Sequence, residues 1–374
     1  MTGREKLALA RRLVVKIGSN ALCEASGELD AAVLQPLAQE IAGLVEAGRQ
    51  VIIVTSGAVK LGLCRLGLKS AKDLPTRQSA AAIGQSELIA AYQRAFGAHG
   101  RPIAQVLLTQ AELSDYRRFL HLSNMLNALV AQHGAIPVLN ENDPVSAAGG
   151  EIGENDRLAA LVASKADADL LVLLSDVEGF YTGDPNHDRQ AELISEIDRI
   201  TPQLQALAEQ ADDRGGSGGM KTKLEAAAVA TRAGVAVAIA SSRAPGVLGR
   251  LLAGEPIGTL FAPAREKLQS RKRWIGFARR AKGKLVVDEG ASQAILERGS
   301  SLLPVGIANV EGEFNPGDTV SVVDFTGKEI ARGLTNYNAD DIRLIRRCKT
   351  REIEGKLGRH DYDEVIHRNN LVVL

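Results

Sequence analysis

The chain has 374 residues, 45% of them hydrophobic, so it is long enough to form two domains, each with its own core. Its 45 basic residues balance 45 acidic ones, which excludes the global electrostatic attraction typical of proteins that bind nucleic acids or anionic membranes. Binding partners must therefore be sought in local sites.

Cysteine spacing and apolar run length indicate where the protein resides. Cys23, Cys64 and Cys348 are far apart and fall in no metal-ligand pattern, so we expect free thiols in a reducing compartment and no protein metal site. Residues 1–12 lack the apolar core of a signal peptide, and the longest apolar runs, such as 170–174, have the length of a strand. We therefore expect a soluble, cytoplasmic protein.

Along the chain, short β-branched or leucine-rich runs alternate with long alanine-rich amphipathic stretches, which is typical of βαβ units. The runs predicted as parallel strands buried on both faces are 13–17, 51–54, 103–108, 136–139, 170–174 and 235–240. The clearest predicted helices are 31–46, 79–96, 119–132, 157–166 and 224–233, with stops at Gly48, Gly100, Gly134 and Gly234. This pattern predicts an α/β fold with an open, mostly parallel sheet between helices and ligand sites at the carboxyl ends of the strands.

The amino-acid composition changes around residues 263–272, where a polar, charged segment follows the alanine-rich predicted helices. Beyond it come short apolar runs at 285–287 and 319–323, with turn signals at 315–318 and 326–327. Short strands with turns at this spacing suggest a small β-rich barrel, so we place a domain boundary near residue 270.

A glycine-rich run at 215–223 precedes the alanine-rich stretch 224–232. Four glycines in its first five positions allow consecutive backbone N–H groups to face one anion, and the following helix adds its positive end. Lys221 and Lys223 add full charges. Met220 replaces the glycine that a Walker motif has before its lysine, which excludes a P-loop NTPase. A phosphate site is one interpretation of this run, and a flexible linker is the alternative.

Two further candidates follow the first two strands. Lys16 and Gly18 lie at the end of the first strand, where the lysine charge and a close backbone approach at the glycine would suit a phosphate. A lysine at the end of a strand is, however, more often solvated. Residues 55–58, Thr-Ser-Gly-Ala, offer hydroxyl and N–H groups at a helix start, where Ser56 suits a carboxylate or phosphate. An ordinary N-cap is the alternative at this position.

The densest polar cluster follows the fourth strand. It comprises residues 140–143, Asn-Glu-Asn-Asp, and residues 154–156, Glu-Asn-Asp. These carboxylates and amides can hold a substrate ammonium group and orient catalytic lysines. A helix cap beside a solvated loop would explain Asp156 but not the whole cluster.

After the fifth strand, Ser175 and Asp176 lead into a turn-rich excursion at 179–185, which either closes over a nucleotide or forms a surface hairpin.

Together these motifs resemble the amino acid kinase family. The resemblance rests on residues 14–19, 55–58, 140–143, 153–156, 175–185 and 216–223. Residues 271–275, 287–291 and 297–304 are similar to the entry of the C-terminal PUA domain carried by the branch that phosphorylates glutamate. The resemblance implies a catalytic domain at 1–265, a linker at 266–279, and a PUA domain with a C-terminal tail at 280–374.

The resemblance also implies the roles of individual residues. Glutamate would be held by Ser56, Asp143 and Asn155 and phosphorylated on its γ-carboxylate by ATP, the first step of proline biosynthesis. Lys16 and Lys223 would stabilise the transferring phosphoryl group, Asp156 would orient them, and Mg²⁺ would arrive on the ATP phosphates. The residues implied to contact ATP are Lys16, Ser175, Asp176, Ser217, Gly218, Gly219, Met220, Lys221, Thr222 and Lys223.

The same resemblance implies several partners. A homo-oligomer, either a dimer or a tetramer, inhibited by proline at or near the glutamate site is expected. Functional coupling to glutamate-5-semialdehyde dehydrogenase is also expected.

Two alternatives remain at this point. One is another amino acid kinase, acting on aspartate, N-acetylglutamate, carbamate or UMP, although none of these is expected to carry the β-rich tail. The other is an RNA-binding regulator. Residues 273–374 contain 16 basic and 15 acidic side chains, so this region lacks the excess of positive charge that is typical of RNA-binding domains. The basic cluster of the tail is better explained as a solvated helix face: Arg343, Arg346, Arg347, Lys349 and Arg351.

Overall fold

The structure is a computed structural model that describes residues 3–109, 112–113, 116–146, 154–183, 188, 190–212, 219–263 and 281–373. The chain divides into two compact units, one of residues 1–114 and 122–266 and the other of residues 115–121 and 267–374. The linker expected at 266–279 lies outside the described residues. Among the described helices, none has both the length and the apolar character needed to cross a bilayer.

The first unit contains an eight-stranded sheet in the order β3-β4-β2-β1-β5-β7-β8-β6. Its strands are β1 Arg12–Ile17, β2 Gln50–Thr55, β3 Ile103–Leu108, β4 Ile136–Glu141, β5 Leu170–Ser175, β6 Glu196–Ile197, β7 Ala236–Ser241 and β8 Thr259–Phe261. Among the described strands of this sheet, β7 and β8 form the one antiparallel pair, so the mostly parallel sheet is confirmed. The prediction that β3 is buried on both faces is wrong, because this strand ends the sheet and is largely half-buried.

Helices connect these strands. They are α1 Ser19–Leu22, α2 Ala31–Glu46, α3 Ala58–Arg65, α4 Leu74–Gly97, α5 Tyr116–Ala131, α6 Glu154–Lys165, α7 Pro202–Asp212, α8 Met220–Arg232 and α9 Val247–Leu252. The four predicted glycine stops all have positive φ angles. The helices α1, α7 and α9 were not predicted, whereas α3 begins at the helix start predicted at residues 55–58.

Two predicted helix starts are wrong by one turn or more. Helix α4 begins before Ser79, because Asp73 caps it by accepting a hydrogen bond from the Thr76 N–H and Pro75 lies in its first turn. Helix α8 begins at Met220 rather than at Leu224. The residues from Lys221 to Lys223 therefore lie in its first turn instead of in a loop.

Helices α3 and α4 pack with their backbones almost in contact. A Cβ atom on Gly62 would lie 1.7 Å from the carbonyl oxygen of Ala80, and one on Gly84 would lie 1.9 Å from that of Ala58. Only glycine permits this approach. It brings α4 against the loop that follows β2.

The second unit has its own sheet and core. The strands β9 Gly283–Val287, β10 Ile307–Gly312, β11 Thr319–Val323, β12 Glu329–Leu334 and β13 Leu371–Val373 are ordered β10-β9-β11-β12-β13. The helices of this unit are α10 Glu289–Arg298, α11 Ala339–Ile345 and α12 Ile353–Leu357. Buried side chains such as Leu285, Val322 and Ile342 form a core within this unit.

The basic cluster of the tail is not a helix face. Only Arg343 lies on α11, and it pairs with Glu313 and Asp340 at 2.8 and 2.7 Å. The other four residues follow the end of the helix, where Arg346 donates to the carbonyl oxygen of Ala308.

Candidate active site

Polar residues predicted at the strand ends meet at one edge of the first sheet. Strand β1 lies between β2 and β5, so the chain leaves it toward one side of the sheet and later continues on the other. In open α/β sheets, ligands bind in the crevice that such a change of direction opens. A cavity of about 340 Å³ occupies this place. Eight predicted residues line it: Lys16, Ser56, Asp143, Asn155, Asp156, Ser175, Asp176 and Lys223.

The Asp156 carboxylate lies between two lysine side chains. Its Oδ1 is 2.5 Å from Lys16 Nζ and its Oδ2 is 3.8 Å from Lys223 Nζ, and all three residues are buried. Lys16 is therefore not the solvated strand-end lysine of the alternative interpretation. A buried charge is tolerated only with a partner, and one carboxylate shared by two ammonium groups leaves positive charge beside the cavity. This arrangement suits a group that develops negative charge.

Asp156 and Lys223 are both held at helix starts. Asp156 lies in the first turn of α6, where a carboxylate interacts favourably with the helix dipole. Lys223 lies in the first turn of α8, where the dipole disfavours a cation. The Thr222 hydroxyl is within hydrogen-bonding distance of Asp156 Oδ2, at 3.1 Å, and of the Gly219 carbonyl oxygen, at 2.9 Å. It can thus join the starts of the two helices.

The remaining residues of the glycine-rich run are less closely associated with the cavity. Lys221 is half exposed, and its Nζ lies 3.0 Å from a carboxylate oxygen of Glu209 on α7. Gly219 is the N-cap of α8, and Met220 is its first residue. Ser217 and Gly218 lie outside the described residues.

Carboxylates concentrate at another part of the cavity wall. Glu141 and Asp143 both line it, as does Arg77 from the first turns of α4. Burial and the neighbouring Glu141 charge raise the pKa of Asp143 to about 6, although Arg77 acts in the opposite direction. A ligand cation placed here would relieve the repulsion between the carboxylates.

Amide side chains form the wall between these two charged regions. The Asn155 amide donates to Ser56 Oγ at 2.8 Å and to Asn140 Oδ1 at 3.0 Å. Asn140 in turn donates to Gln85 Oε1 at 2.8 Å. The structure thus brings Ser56 and Asn155 into direct contact.

The end of β5 forms the mouth of the cavity. Ser175 is buried and donates from its Oγ to Asp176 Oδ1 at 2.9 Å, whereas Asp176 is exposed. In the turn-rich excursion that follows, Tyr181 forms an isolated antiparallel bridge with Leu193, which fits the hairpin alternative. Residues 184 and 185 of this excursion lie outside the described residues.

Sequence reasoning missed three residues near the cavity. Lys60 and Arg77 line it, and Gln85 supports its amide wall. Lys60 lies on α3, of which only the start was predicted, and Arg77 lies in the unpredicted first turns of α4. The Asp73 cap with Pro75 in the first turn was the signal that would have placed Arg77 on a helix.

Comparisons with known proteins find similar proteins for both units. A family model described as the amino acid kinase family matches residues 11–241, and a PUA domain model matches residues 283–357. The chain is similar over its whole length to proteins named glutamate 5-kinase. The one from Myxococcus xanthus is 46% identical, with 100% of this chain and 99% of that protein covered. The one from Moorella thermoacetica is 46% identical, with 100% of this chain and 100% of that protein covered. The one from Thermoanaerobacter sp. strain X514 is 44% identical, with 97% of this chain and 98% of that protein covered.

Proposed function

Because the chain belongs to the amino acid kinase family and, within it, to the glutamate 5-kinases, we infer that it phosphorylates the γ-carboxylate of L-glutamate with ATP. The product is L-glutamyl 5-phosphate, and the reaction is the first step of proline biosynthesis. The observation that carries this function is the similarity to glutamate 5-kinases over both units. The two alternatives, another amino acid kinase and an RNA-binding regulator, gain no support from it.

The charges of the cavity suit both substrates. The lysine pair around Asp156 provides positive charge for the phosphoryl group, and Asp143 with Glu141 provides negative charge for the glutamate ammonium group. In our proposal, Ser56 and Asn155 contact glutamate between these two regions. The γ-carboxylate of glutamate then points toward Lys16 and Lys223.

Phosphoryl transfer in this site needs positioning and charge neutralisation rather than a base. A carboxylate is already a nucleophile at neutral pH, so no side chain has to remove a proton from it. Lys16 and Lys223 stabilise the charge that spreads over the phosphoryl oxygens, and Asp156 holds the two lysines in place. Buried polar partners keep these groups fixed before the substrates arrive.

We propose that ATP lies toward the start of α8 and the end of β5. The N-terminus of α8 offers the positive end of the helix dipole, while Ser175 and Asp176 line the mouth. Mg²⁺ would arrive on the ATP phosphates, since it keeps several waters and takes few protein ligands. Asp176, an exposed carboxylate at this mouth, is the kind of oxygen donor that such an ion accepts.

Further properties are proposed from the family resemblance alone. They are a cytoplasmic location, a homo-oligomeric state, inhibition by proline at or near the glutamate site, functional coupling to glutamate-5-semialdehyde dehydrogenase, and the division at residues 265 and 280.

The proposed function is tested by trapping the acyl phosphate with hydroxylamine. Purified protein and ATP are incubated with glutamate, aspartate or N-acetylglutamate, and the hydroxamate is measured. We expect product with glutamate only. Turnover of N-acetylglutamate without turnover of glutamate would contradict the proposal.

A further inference from the structure

A chain of three side-chain amides, buried at its centre and half-buried at both ends, runs from α4 to the wall of the cavity. Asn140, only 2% exposed at the end of β4, lies at its centre. Its Nδ2 donates to Gln85 Oε1 at 2.8 Å, and its Oδ1 accepts from Asn155 Nδ2 at 3.0 Å. Gln85 does not itself line the cavity among the described residues.

The orientation of each amide follows from one backbone donor. The N–H of Glu141 lies 2.9 Å from the Asn140 side chain and can only donate, so the atom it meets must be Asn140 Oδ1. The Asn140 Nδ2 then faces Gln85, which must present its oxygen. Asn155 must likewise present its Nδ2 to Asn140 Oδ1, and the second hydrogen of this Nδ2 goes to Ser56 Oγ.

With these hydrogen bonds formed, the side-chain atom of Asn155 that remains to bind a ligand is its acceptor, Oδ1. Its Oδ1 is buried and has no hydrogen-bond partner among the described residues. Since both hydrogens of its Nδ2 are used, a ligand group that binds Asn155 must be a donor. At neutral pH, the only donor of glutamate is its ammonium group.

We infer that Gln85 is a positioning residue for the substrate ammonium group, acting through Asn140 and Asn155. This inference rests on the proposed function. Without the Gln85 oxygen, the buried Nδ2 of Asn140 lacks its partner and turns to find another, which releases Asn155. The Asn155 amide is then free to present Nδ2, which repels an ammonium group, instead of Oδ1.

Glutamate and glutarate, which lacks the ammonium group, distinguish this role from general damage. The variants are Gln85→Met, which keeps the side-chain length but lacks the carbonyl oxygen, and Gln85→Glu, which keeps an acceptor. Gln93→Met is the matched control, because Gln93 is exposed on the same helix. Dissociation constants are measured by calorimetry on the full chain, together with the KM for ATP.

We expect Gln85→Met to weaken glutamate binding about tenfold, since a buried donor loses its partner. Glutarate binding and the KM for ATP should not change, and Gln85→Glu and Gln93→Met should bind glutamate like the original protein. Unchanged glutamate binding in Gln85→Met, or equal weakening of glutamate and glutarate, overturns the inference. If Gln85→Met does not fold, Gln85→Ala provides the same comparison.

The two proposals fail in different ways. If the unsubstituted protein neither binds nor phosphorylates glutamate, the proposed function is wrong, and the Gln85 role falls with it. If the unsubstituted protein does both and Gln85→Met binds glutamate equally well, only the role of Gln85 is wrong.

Discussion

At the residue scale, the decisive feature is the sharing of one buried carboxylate between two lysines. Asp156 contacts Lys16 at 2.5 Å and Lys223 at 3.8 Å, so its carboxylate is closer to the first ammonium group than to the second. Removing Asp156 would leave two buried cations, which is strongly unfavourable. Lys221 differs from both, because it is half exposed and pairs with Glu209.

We predict that Lys223→Ala and Lys16→Ala lower kcat at least about a hundredfold, because a preorganised charge acts mainly on the transition state. The KM for glutamate should change far less. Lys221→Ala is the matched control in the same helical turn and should retain most of the activity, since an exposed ion pair contributes little. Steady-state hydroxamate formation measures all three variants. The assignment is wrong if Lys221→Ala abolishes turnover while Lys223→Ala does not.

We predict that glutamate binding weakens in acid because of Asp143. Its pKa of about 6 means that the carboxylate is charged above this pH and becomes neutral below it, losing its attraction for the ammonium group. The dissociation constant for glutamate should rise about tenfold from about pH 7 to about pH 5. Calorimetric titrations across this range measure it. Asp143→Asn should bind weakly at every pH, and a variant that keeps the acid-dependent loss would contradict the role of Asp143.

At the element scale, the close packing of α3 on α4 sets one side of the site. The glycines at 62 and 84 let the two backbones approach, and this contact carries Lys60, Arg77 and Gln85 to the cavity or its wall. Helix α8 sets another side, since its start at Met220 places Lys223 in the first turn of the helix. A shift of either helix would therefore move several functional groups together.

We predict that Gly62→Ala destabilises the protein by about 3 kcal/mol and weakens glutamate binding, because the added Cβ forces α3 away from α4. Gly43→Ala is the control. Gly43 lies within α2 with no atom near its would-be Cβ, so alanine there should stabilise the protein by about 0.5 to 1 kcal/mol. Thermal and denaturant unfolding measure both variants. If the two variants are equally stable, the helices accommodate the added Cβ at position 62 without a loss of stability, and the prediction is wrong.

At the scale of the whole molecule, all residues assigned to chemistry belong to the first unit. The second unit has a separate sheet and a core of its own, with buried side chains on its strands and helices. A unit of this kind can bias a neighbouring equilibrium without contacting the substrates. We therefore expect it to modulate rather than to catalyse.

We predict that a chain ending at Pro263 folds and still phosphorylates glutamate. Its unfolding transition should be cooperative, and acyl phosphate should be trapped with hydroxylamine, although proline inhibition, Mg²⁺ dependence and assembly are free to change. A folded but inactive fragment would show that the tail completes the active site. Tight, salt-sensitive RNA binding by residues 271–374 would instead support the regulator hypothesis.

The sequence by itself determined the class of fold and the edge of the sheet that carries the site. Strand and helix periodicities depend on neighbours within a few positions, so the strand 103–108 and the helix 31–46 were predicted to the residue. The polar runs after four strands predicted a common site, because the carboxyl ends of parallel strands lie at one edge. Ordered motifs then identified the family.

Only the tertiary structure decided which polar groups meet and in what orientation. The burial of Lys16, the exposure of Lys221 and the shared carboxylate of Asp156 depend on helices that are distant in the sequence. The same holds for β3, whose apolar sequence does not reveal that it ends the sheet. In Asn155, the free oxygen follows from hydrogen bonds with Asn140 and Ser56, 15 and 99 positions away. Such contacts leave no local pattern, because packing between elements, rather than the order of residues within one, selects them.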